Sequence, residues 1–297
     1  MKNESKNILI VGLGLLGMSL AMAMSRAGVK VCGYNRRREA VDFGVSNGYL
    51  LPESYSCLED LLKNADVVFL ALPIPATIDF VEKYAAYFKK GAVITDLNST
   101  KGAFINKARE VLVPLNVFFV GSHPMAGTEK SGYENAFVSL YDNADVFVCA
   151  DDFNAPEVKV VEDLWHAISC KTVRIAADKH DKLVARTSHV AHVLASALTI
   201  SVLGYEDKLD NFAGCAGGFR DTSRTASSNP VMWKEIIENN REAVLEAMDY
   251  FDMAYGKFRK IIEEGRFDDF EKEFAKGRTL REEWLEYMEN KKGNNKK

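Results

Sequence analysis

The sequence is poor in the features that mark a disulfide scaffold, a metal cluster or a membrane chain. Its 297 residues include 5 cysteines. Cys32, Cys57, Cys149, Cys170 and Cys215 are scattered, with no Cys-x-x-Cys among them. An odd count at irregular spacing excludes a disulfide framework or a zinc ribbon and fits thiols kept reduced in a cytoplasm. Long hydrophobic runs are also missing. The first apolar stretch, residues 8–11, is shorter than the roughly 7–15 residues of a signal-peptide core. The longest, residues 190–203, contains His192 and Ser196 and falls short of the roughly 20 residues that cross a bilayer, so it reads as a buried helix. No sign of charge dominates: 38 Lys and Arg stand against 42 Asp and Glu, a net charge of −4. That balance lacks the basic face of a nucleic-acid binder. A cytoplasmic protein with neither membrane nor nucleic acid as partner is expected.

What is present is an ordinary globular composition, 47% hydrophobic and 27% charged. It excludes a disordered or collagen-like chain, and the length suggests about two domains. The first half alternates short runs rich in Val, Ile and Phe with amphipathic segments. Strands are expected at residues 7–11, 30–34, 67–72, 92–96, 117–120, 146–149 and 172–175. Helical patterns lie between them, at 15–26, 76–89, 103–112 and 156–168. Several runs lack polar alternation, as strands covered on both faces do, and strand–helix–strand order implies right-handed crossovers and a mainly parallel sheet. From about Asp178 the strand signals stop and long helical patterns follow, at 178–202, 230–256 and 266–288. Asn229 before Pro230 is an expected N-cap. The fold class is therefore α/β: an N-terminal Rossmann-type, doubly wound parallel sheet over residues 1–176, then an all-helical domain over 177–297. After about Met288 only a polar tail follows, so no further regulatory or mutase domain is expected.

The first expected strand runs into Gly12-Leu13-Gly14-Leu15-Leu16-Gly17 and then a helix. In that context Gly-x-Gly-x-x-Gly marks a dinucleotide site. Gly12 permits the tight turn, Gly14 lets backbone approach a pyrophosphate, and Gly17 lets helix and strand pack closely at a helix N-terminus rich in unpaired N–H groups. The second strand ends in Asn35-Arg36-Arg37-Arg38, where an NAD site usually carries an acidic residue for the ribose. Asn35 removes a charge that would repel a 2′-phosphate, and a neighbouring guanidinium can pair with one. NADP is favoured over NAD on that ground; the alternative is a solvated arginine-rich helix start with Glu39 at the ribose. Leu72-Pro73, after the third strand, and Ser99, after the fourth, complete the expected cofactor contacts.

Polar residues cluster where an α/β sheet places its site, beyond the C-terminal strand ends. One cluster is Asp96-Leu-Asn98-Ser99-Thr100-Lys101-Gly102. A second is Gly121-Ser-His123-Pro-Met-Ala-Gly127-Thr128-Glu129-Lys130-Ser131-Gly132. The helical half adds His180-Asp181, Ser188-His189-x-x-His192, Gly217-Gly-Phe-Arg-Asp221-Thr-Ser-Arg224 and Trp233. His123, in a strand-end loop, is the candidate proton acceptor, because imidazole titrates near neutral pH. Ser99 can hydrogen-bond the same hydroxyl, and Arg224 can clamp a carboxylate. His189 and His192 are spaced as metal ligands can be, but no third ligand accompanies them, so no metal is expected. His166, beside Trp165, reads as structural.

Taken together, Gly12-x-Gly14-x-x-Gly17-x-Ser19-Leu20, Ser99-x-Lys101-Gly102, the His123-Pro-Met-Ala-Gly-Thr-Glu129 block, Ser188-His-x-x-His192 and Gly217-Gly-Phe-Arg-Asp-Thr-x-Arg224 resemble the prephenate/arogenate dehydrogenase family of tyrosine biosynthesis. The resemblance runs in order over about residues 7–240. Met18 stands where the family usually has Gly, and Ala191 where it often has Pro; a local packing effect is expected at Met18. The resemblance implies NAD(P)-dependent oxidative decarboxylation, with His123 and Ser99 catalytic and Arg224 anchoring a substrate carboxylate. It implies His192, Trp233, Thr128, Glu129, Gly217, His189 and Asp221 around the substrate, with Asp221 pairing with Arg224 before substrate arrives. It also implies a homodimer through the helical domain, with feedback inhibition by tyrosine possible by analogy. The competing readings are an arogenate dehydrogenase, another Rossmann dehydrogenase of the β-hydroxyacid or imine-reducing kind, and a non-catalytic dinucleotide sensor. The last would be expected to lack Ser99, His123 and Arg224.

Overall fold

The computed structural model describes residues 6–128, 130–204 and 208–293. Five short strands form one sheet: β1 (Ile8–Val11), β2 (Val31–Tyr34), β3 (Val67–Leu70), β4 (Val93–Asp96) and β5 (Phe118–Phe119). Their order is β2-β1-β3-β4-β5, and every pairing is parallel. All four side chains of β1 are buried. Ile8 and Ile10 enter one apolar cluster, Leu9 and Val11 another, and Val67 and Phe69 divide from Val68 and Leu70 in the same way. The period of two is therefore intact, but both faces are apolar because both are covered. That is why the strands read as unbroken hydrophobic runs. Met18 lies fully buried in the first cluster, and a Cβ on Gly44 would come 3.3 Å from its Cε.

The run expected as one strand, residues 117–120, breaks after β5. The chain leaves the parallel sheet and enters a second one, made of β6 (Gly121–Pro124), β7 (Asp145–Cys149) and β8 (Lys171–Arg174). There β6 pairs antiparallel to β7, and β7 pairs parallel to β8. Contacts with neighbouring elements accompany the break. A Cβ on Gly121 would come 2.8 Å from Ile105 Cδ1 and 3.1 Å from Lys101 Cδ, so a larger residue there would have to displace those side chains. Beyond it the Ser122 hydroxyl donates to the Asp96 carbonyl at 2.6 Å and lies 2.9 Å from Thr95 Oγ1. The Ser122 N–H donates to Asp96 Oδ1 at 3.1 Å. Side chains of β4 thus hold β6 where a backbone ladder would otherwise be needed. His123 consequently sits on a strand, not in the strand-end loop that sequence suggests.

The helical half begins with a continuous run, Ala177–Leu203: α-helix Ala177–Val184, a π-helical turn Ala185–His189, and α-helix Val190–Leu203. By length and composition this run could cross a membrane, with 28% of its apolar window buried. Its first turns carry Asp178, Lys179, Asp181, Lys182 and Arg186, and several apolar residues of its second half are exposed, Ile200 at 71%. Of the helix expected to be buried, Val190–Leu203, only Val190 and Ala195 are buried. Asn229 caps the helix Pro230–Asn239, its Oδ1 accepting from the N–H of Val231 and of Met232, as the Asn-Pro pair suggested.

The chain divides into two compact units, Met1–Val244 and Leu245–Lys297. In the second, helix Arg241–Glu263 turns at Gly265 (φ +66°) into helix Phe267–Gly293. Phe258 meets Phe270 edge-on at 5.6 Å, and Lys257 pairs with Glu273. Tyr255, Trp284 and Tyr287 are exposed on these helices.

Candidate active site

The glycine loop lies where the sheet order reverses, between β1 and β3. Gly12 has φ +93°, and a Cβ there would come 2.4 Å from the Ala71 carbonyl oxygen. A Cβ on Gly17 would come 1.9 Å from the Gly12 carbonyl oxygen. Gly14, by contrast, has nothing within 4 Å of its missing Cβ, and it begins helix Leu15–Arg26 with no capping side chain. Two glycines are thus demanded by the protein, while the third opens onto free space at a helix N-terminus. That cradle fits a pyrophosphate. Leu15 and Gly17 are buried in the first turns of this helix, and the Leu16 carbonyl accepts from the buried Tyr141 hydroxyl at 2.9 Å. The Ser19 hydroxyl accepts from the Phe137 N–H.

Asn35 is tied into the turn. Its Oδ1 accepts from the Leu13 N–H at 3.2 Å, and its Nδ2 donates to the Arg37 carbonyl at 3.1 Å. Arg36 and Arg37 are exposed. Arg38 stacks over the Tyr55 ring at 4.1 Å and lies 3.5 Å from Asp42. Leu72 is half-buried, and the Leu72 and Pro73 carbonyls both accept from the Thr77 hydroxyl, which in turn accepts from Asn98 Nδ2. The ends of β3 and β4 are joined in this way.

Ser99, half-buried, follows on a loop stapled by a buried ion pair. Lys101 Nζ donates to Asp96 Oδ2 at 2.5 Å and to the Asn98 carbonyl at 2.8 Å, and both charged side chains are fully buried. Burial lifts the Asp96 carboxyl above its ordinary range, against the pull of Lys101. This pair links β4, the Ser99 loop and, through Ser122, the strand carrying His123. Among the described residues no direct hydrogen bond joins Ser99 to His123.

Four histidines come together. His123, 8% exposed, has its Nδ1 2.9 Å from Nε2 of the fully buried His180. Burial holds His123 well below its ordinary value, assisted by the charges of His180, Lys101 and His189. His180 is lowered by burial too, with Asp181 opposing. His189, 1% exposed, accepts at Nδ1 from Asn240 Nδ2 at 3.1 Å; the same amide donates to the Asp181 carbonyl at 2.9 Å. Its proton is therefore on Nε2, which is buried and has no partner among the described residues. Burial brings His189 down to about 4. His192 donates from Nδ1 to the Ser188 carbonyl and stacks on Trp233, 3.8 Å between centroids. Trp233 also meets His189 edge-on at 5.8 Å, and its own N–H is buried and unpaired among the described residues. The π-helical turn that ends at His189 is the kind of local widening often found at functional sites.

Burial lowers His192, and Arg224 lies close enough to lower it further. Arg224 lines a cavity of about 490 Å³ with Phe219, Arg220, Ser223 and Ser227. The expected Asp221–Arg224 pairing is not formed. Asp221 faces its sequence neighbour Arg220 at 3.3 Å instead, and Arg224 lines the cavity. Gly217 is exposed at the start of helix Gly217–Ser223. The half-buried Thr128 accepts at its hydroxyl from the Lys130 N–H. Glu129 lies outside the described residues. Among the described residues no three His, Cys, Asp or Glu side chains group as metal ligands do, and the five cysteines are free thiols. His166 meets the Thr172 hydroxyl. Sequence patterning assigns no role to Asp96, Lys101, His180, Asp181 or Asn240. The signal available was a His-Asp doublet and a Lys within the polar clusters already noted.

Residues 20–174 match the family model for the prephenate dehydrogenase nucleotide-binding domain, and residues 176–276 match that for the prephenate dehydrogenase dimerization domain. This chain belongs to the prephenate dehydrogenase family. Family membership makes it an oxidoreductase, a nicotinamide-dependent dehydrogenase of tyrosine biosynthesis. A prephenate dehydrogenase of Lactococcus lactis is 31% identical over 280 residues, 93% of this chain and 77% of that protein. A cyclohexadienyl dehydrogenase of Zymomonas mobilis is 32% identical, covering 86% of this chain and 88% of its own length. The crystal structure of prephenate dehydrogenase from Aquifex aeolicus, in complex with hydroxyphenyl propionate and NAD+, superposes with a TM-score of 0.84 at 26% identity, over 95% of this chain and 99% of that one.

Proposed function

We propose that this prephenate dehydrogenase family member oxidises and decarboxylates prephenate to 4-hydroxyphenylpyruvate, with His123 as the proton acceptor. The observation that carries the assignment is His123 itself: a buried imidazole on β6, kept neutral by burial and facing the histidine–tryptophan cluster of the helical region. The residues that would hold the dinucleotide are Gly12 to Gly17, Asn35 to Arg37, Leu72, Pro73 and Ser99. When bound, it supplies a hydride acceptor for the ring carbon that bears the hydroxyl. His123 takes the hydroxyl proton, so that a carbonyl can form. The ring carboxylate then departs as carbon dioxide, its bonding electrons make the ring aromatic, and His123 returns the proton to the phenol oxygen. Aromatisation drives the sequence, so the protein chiefly orients its reactants. Arg224 anchors a substrate carboxylate, with Asp221, Gly217 and Thr128 around it. His189 and Trp233 offer their unpaired N–H groups to its oxygens, and His192 is held against them.

Arg36 and Arg37, exposed beside an uncharged Asn35, favour NADP through its 2′-phosphate. Exposed apolar residues of the helical region, such as Leu209 at 82% and Val231 at 64%, suit a homodimer formed through residues 177–297. The cytoplasm is the expected compartment. Turnover is tested by reduced-cofactor absorbance with NAD or NADP and with prephenate or arogenate. His123→Asn should lower kcat by about 10²–10⁴ with KM nearly unchanged. Wild-type turnover in that variant removes His123 from its role, and turnover of arogenate alone reassigns the substrate.

A further inference from the structure

Behind His123 runs a chain of hydrogen bonds whose polarity is set at its far end. The Asp181 carboxylate is fixed first. Its Oδ1 accepts from the Lys101 N–H at 2.8 Å and its Oδ2 from the Gly102 N–H at 2.7 Å, at the N-terminus of the eleven-residue helix Gly102–Leu112. Its own backbone carbonyl is held by Asn240. With both oxygens already accepting, Asp181 faces His180 as an acceptor, and His180 Nδ1 lies 2.8 Å from Oδ1. The His180 proton therefore belongs on Nδ1. A neutral imidazole with its proton there has a lone pair at Nε2, and that atom lies 2.9 Å from His123 Nδ1. Two lone pairs cannot meet at that distance, so the His123 proton belongs on Nδ1.

We propose that His180 and Asp181 are positioning residues that lock His123 in the Nδ1–H tautomer, so that its Nε2 presents a lone pair to the substrate hydroxyl. The inference rests on the reading of His123 as proton acceptor. The opposite tautomer would present an N–H to that hydroxyl and would be unable to take its proton. The lock needs no metal and no proton transfer to Asp181. When His123 takes the substrate proton at Nε2, it keeps its Nδ1–H pointed at His180, and the pair stays bonded throughout. His180 also holds the ring in place, edge-on at 5.1 Å between centroids, with Phe147 edge-on to His180 at 5.4 Å. This arrangement spans 80 positions of sequence, from Lys101 to Asp181, so it exists only in the folded chain.

The test is nitrogen NMR of the full-length protein labelled at histidine, with the His123 signals assigned by their loss in His123→Asn. In the wild type at about pH 7, His123 should show a protonated Nδ1 and an unprotonated Nε2; the reverse pattern overturns the proposal. His180→Leu removes the acceptor and should release His123 into a mixture of tautomers, lowering kcat on the order of 10–100-fold with KM within about threefold. His180→Gln can accept from His123 and donate to Asp181, and should restore the Nδ1–H pattern and most of kcat. A Leu variant that keeps the wild-type pattern and rate overturns the lock, as does a Gln variant no better than Leu. If the tautomer is as stated but His123→Asn turns over normally, the proton-acceptor reading fails while the lock stands.

Discussion

His189 is a buried base whose neutral state the fold enforces, and this should appear as acid lability. Its ordinary value of 6.5 falls to about 4 in the folded chain, chiefly through burial. As the pH drops below about 6.5, the unfolded chain binds the proton first. Stability contributed above that point is lost progressively until the folded state also protonates, near pH 4. A shift of that size corresponds to about 3 kcal/mol at full extent and to roughly 2–3 kcal/mol by pH 4.5, at about 1.4 kcal/mol per pH unit. His189→Gln isolates the effect. Glutamine can still accept from Asn240 Nδ2 and still carries an N–H, but it has no charge to gain. Urea unfolding at about pH 7 and pH 4.5 should show the wild type losing about 2–3 kcal/mol more than the variant over that interval. Other acid-sensitive groups, His123 and His180 among them, are common to both proteins, so the difference reports His189 together with its coupling to them. Equal losses in the two proteins would refute the argument that burial of His189 opposes its protonation.

Lys101→Met leaves Asp96 buried without its counter-ion and should cost about 3–5 kcal/mol in urea unfolding; adding Asp96→Asn to it should recover part of that loss. Arg224→Gln removes a charged donor that no acidic side chain among the described residues engages. It should raise KM for substrate about 10–100-fold, the equivalent of one charge-assisted hydrogen bond, with kcat changed far less in steady-state kinetics.

The sheet was legible because its signal is local. Ile8–Val11 and Val67–Leu70 are hydrophobic at every position, and covering both faces of a strand is the common way to satisfy such a run. The turn at Gly12 and Gly17 was legible for a similar reason: each glycine answers a steric demand made within one strand–turn–helix unit and its neighbouring strand. The break between β5 and β6 was not. Gly-Ser-His-Pro has little strand propensity, and it forms a strand because Asp96 and Thr95, 26 and 27 positions earlier, bond Ser122. The helical pattern at 230–256 likewise hides an interruption at Asn240, where the helix ending at Asn239 gives way to the one beginning at Arg241. Asn240 at that junction has its amide bonded to both His189 and the Asp181 carbonyl. Sequence places His180-Asp181 among the polar clusters but does not say which residues of Asp178-Lys-His-Asp-Lys182 are buried. The structure buries His180 and Asp181 from its middle while Lys179 and Lys182 stay outside. No pattern internal to that segment distinguishes the two pairs. The distinction comes from two backbone N–H groups at the start of a helix some 80 residues away, which need an acceptor and find Asp181. Motif reading therefore finds the residues that face a ligand, whose types are dictated by chemistry, and misses those behind them, whose types are dictated by which unsatisfied groups the fold happens to bring near.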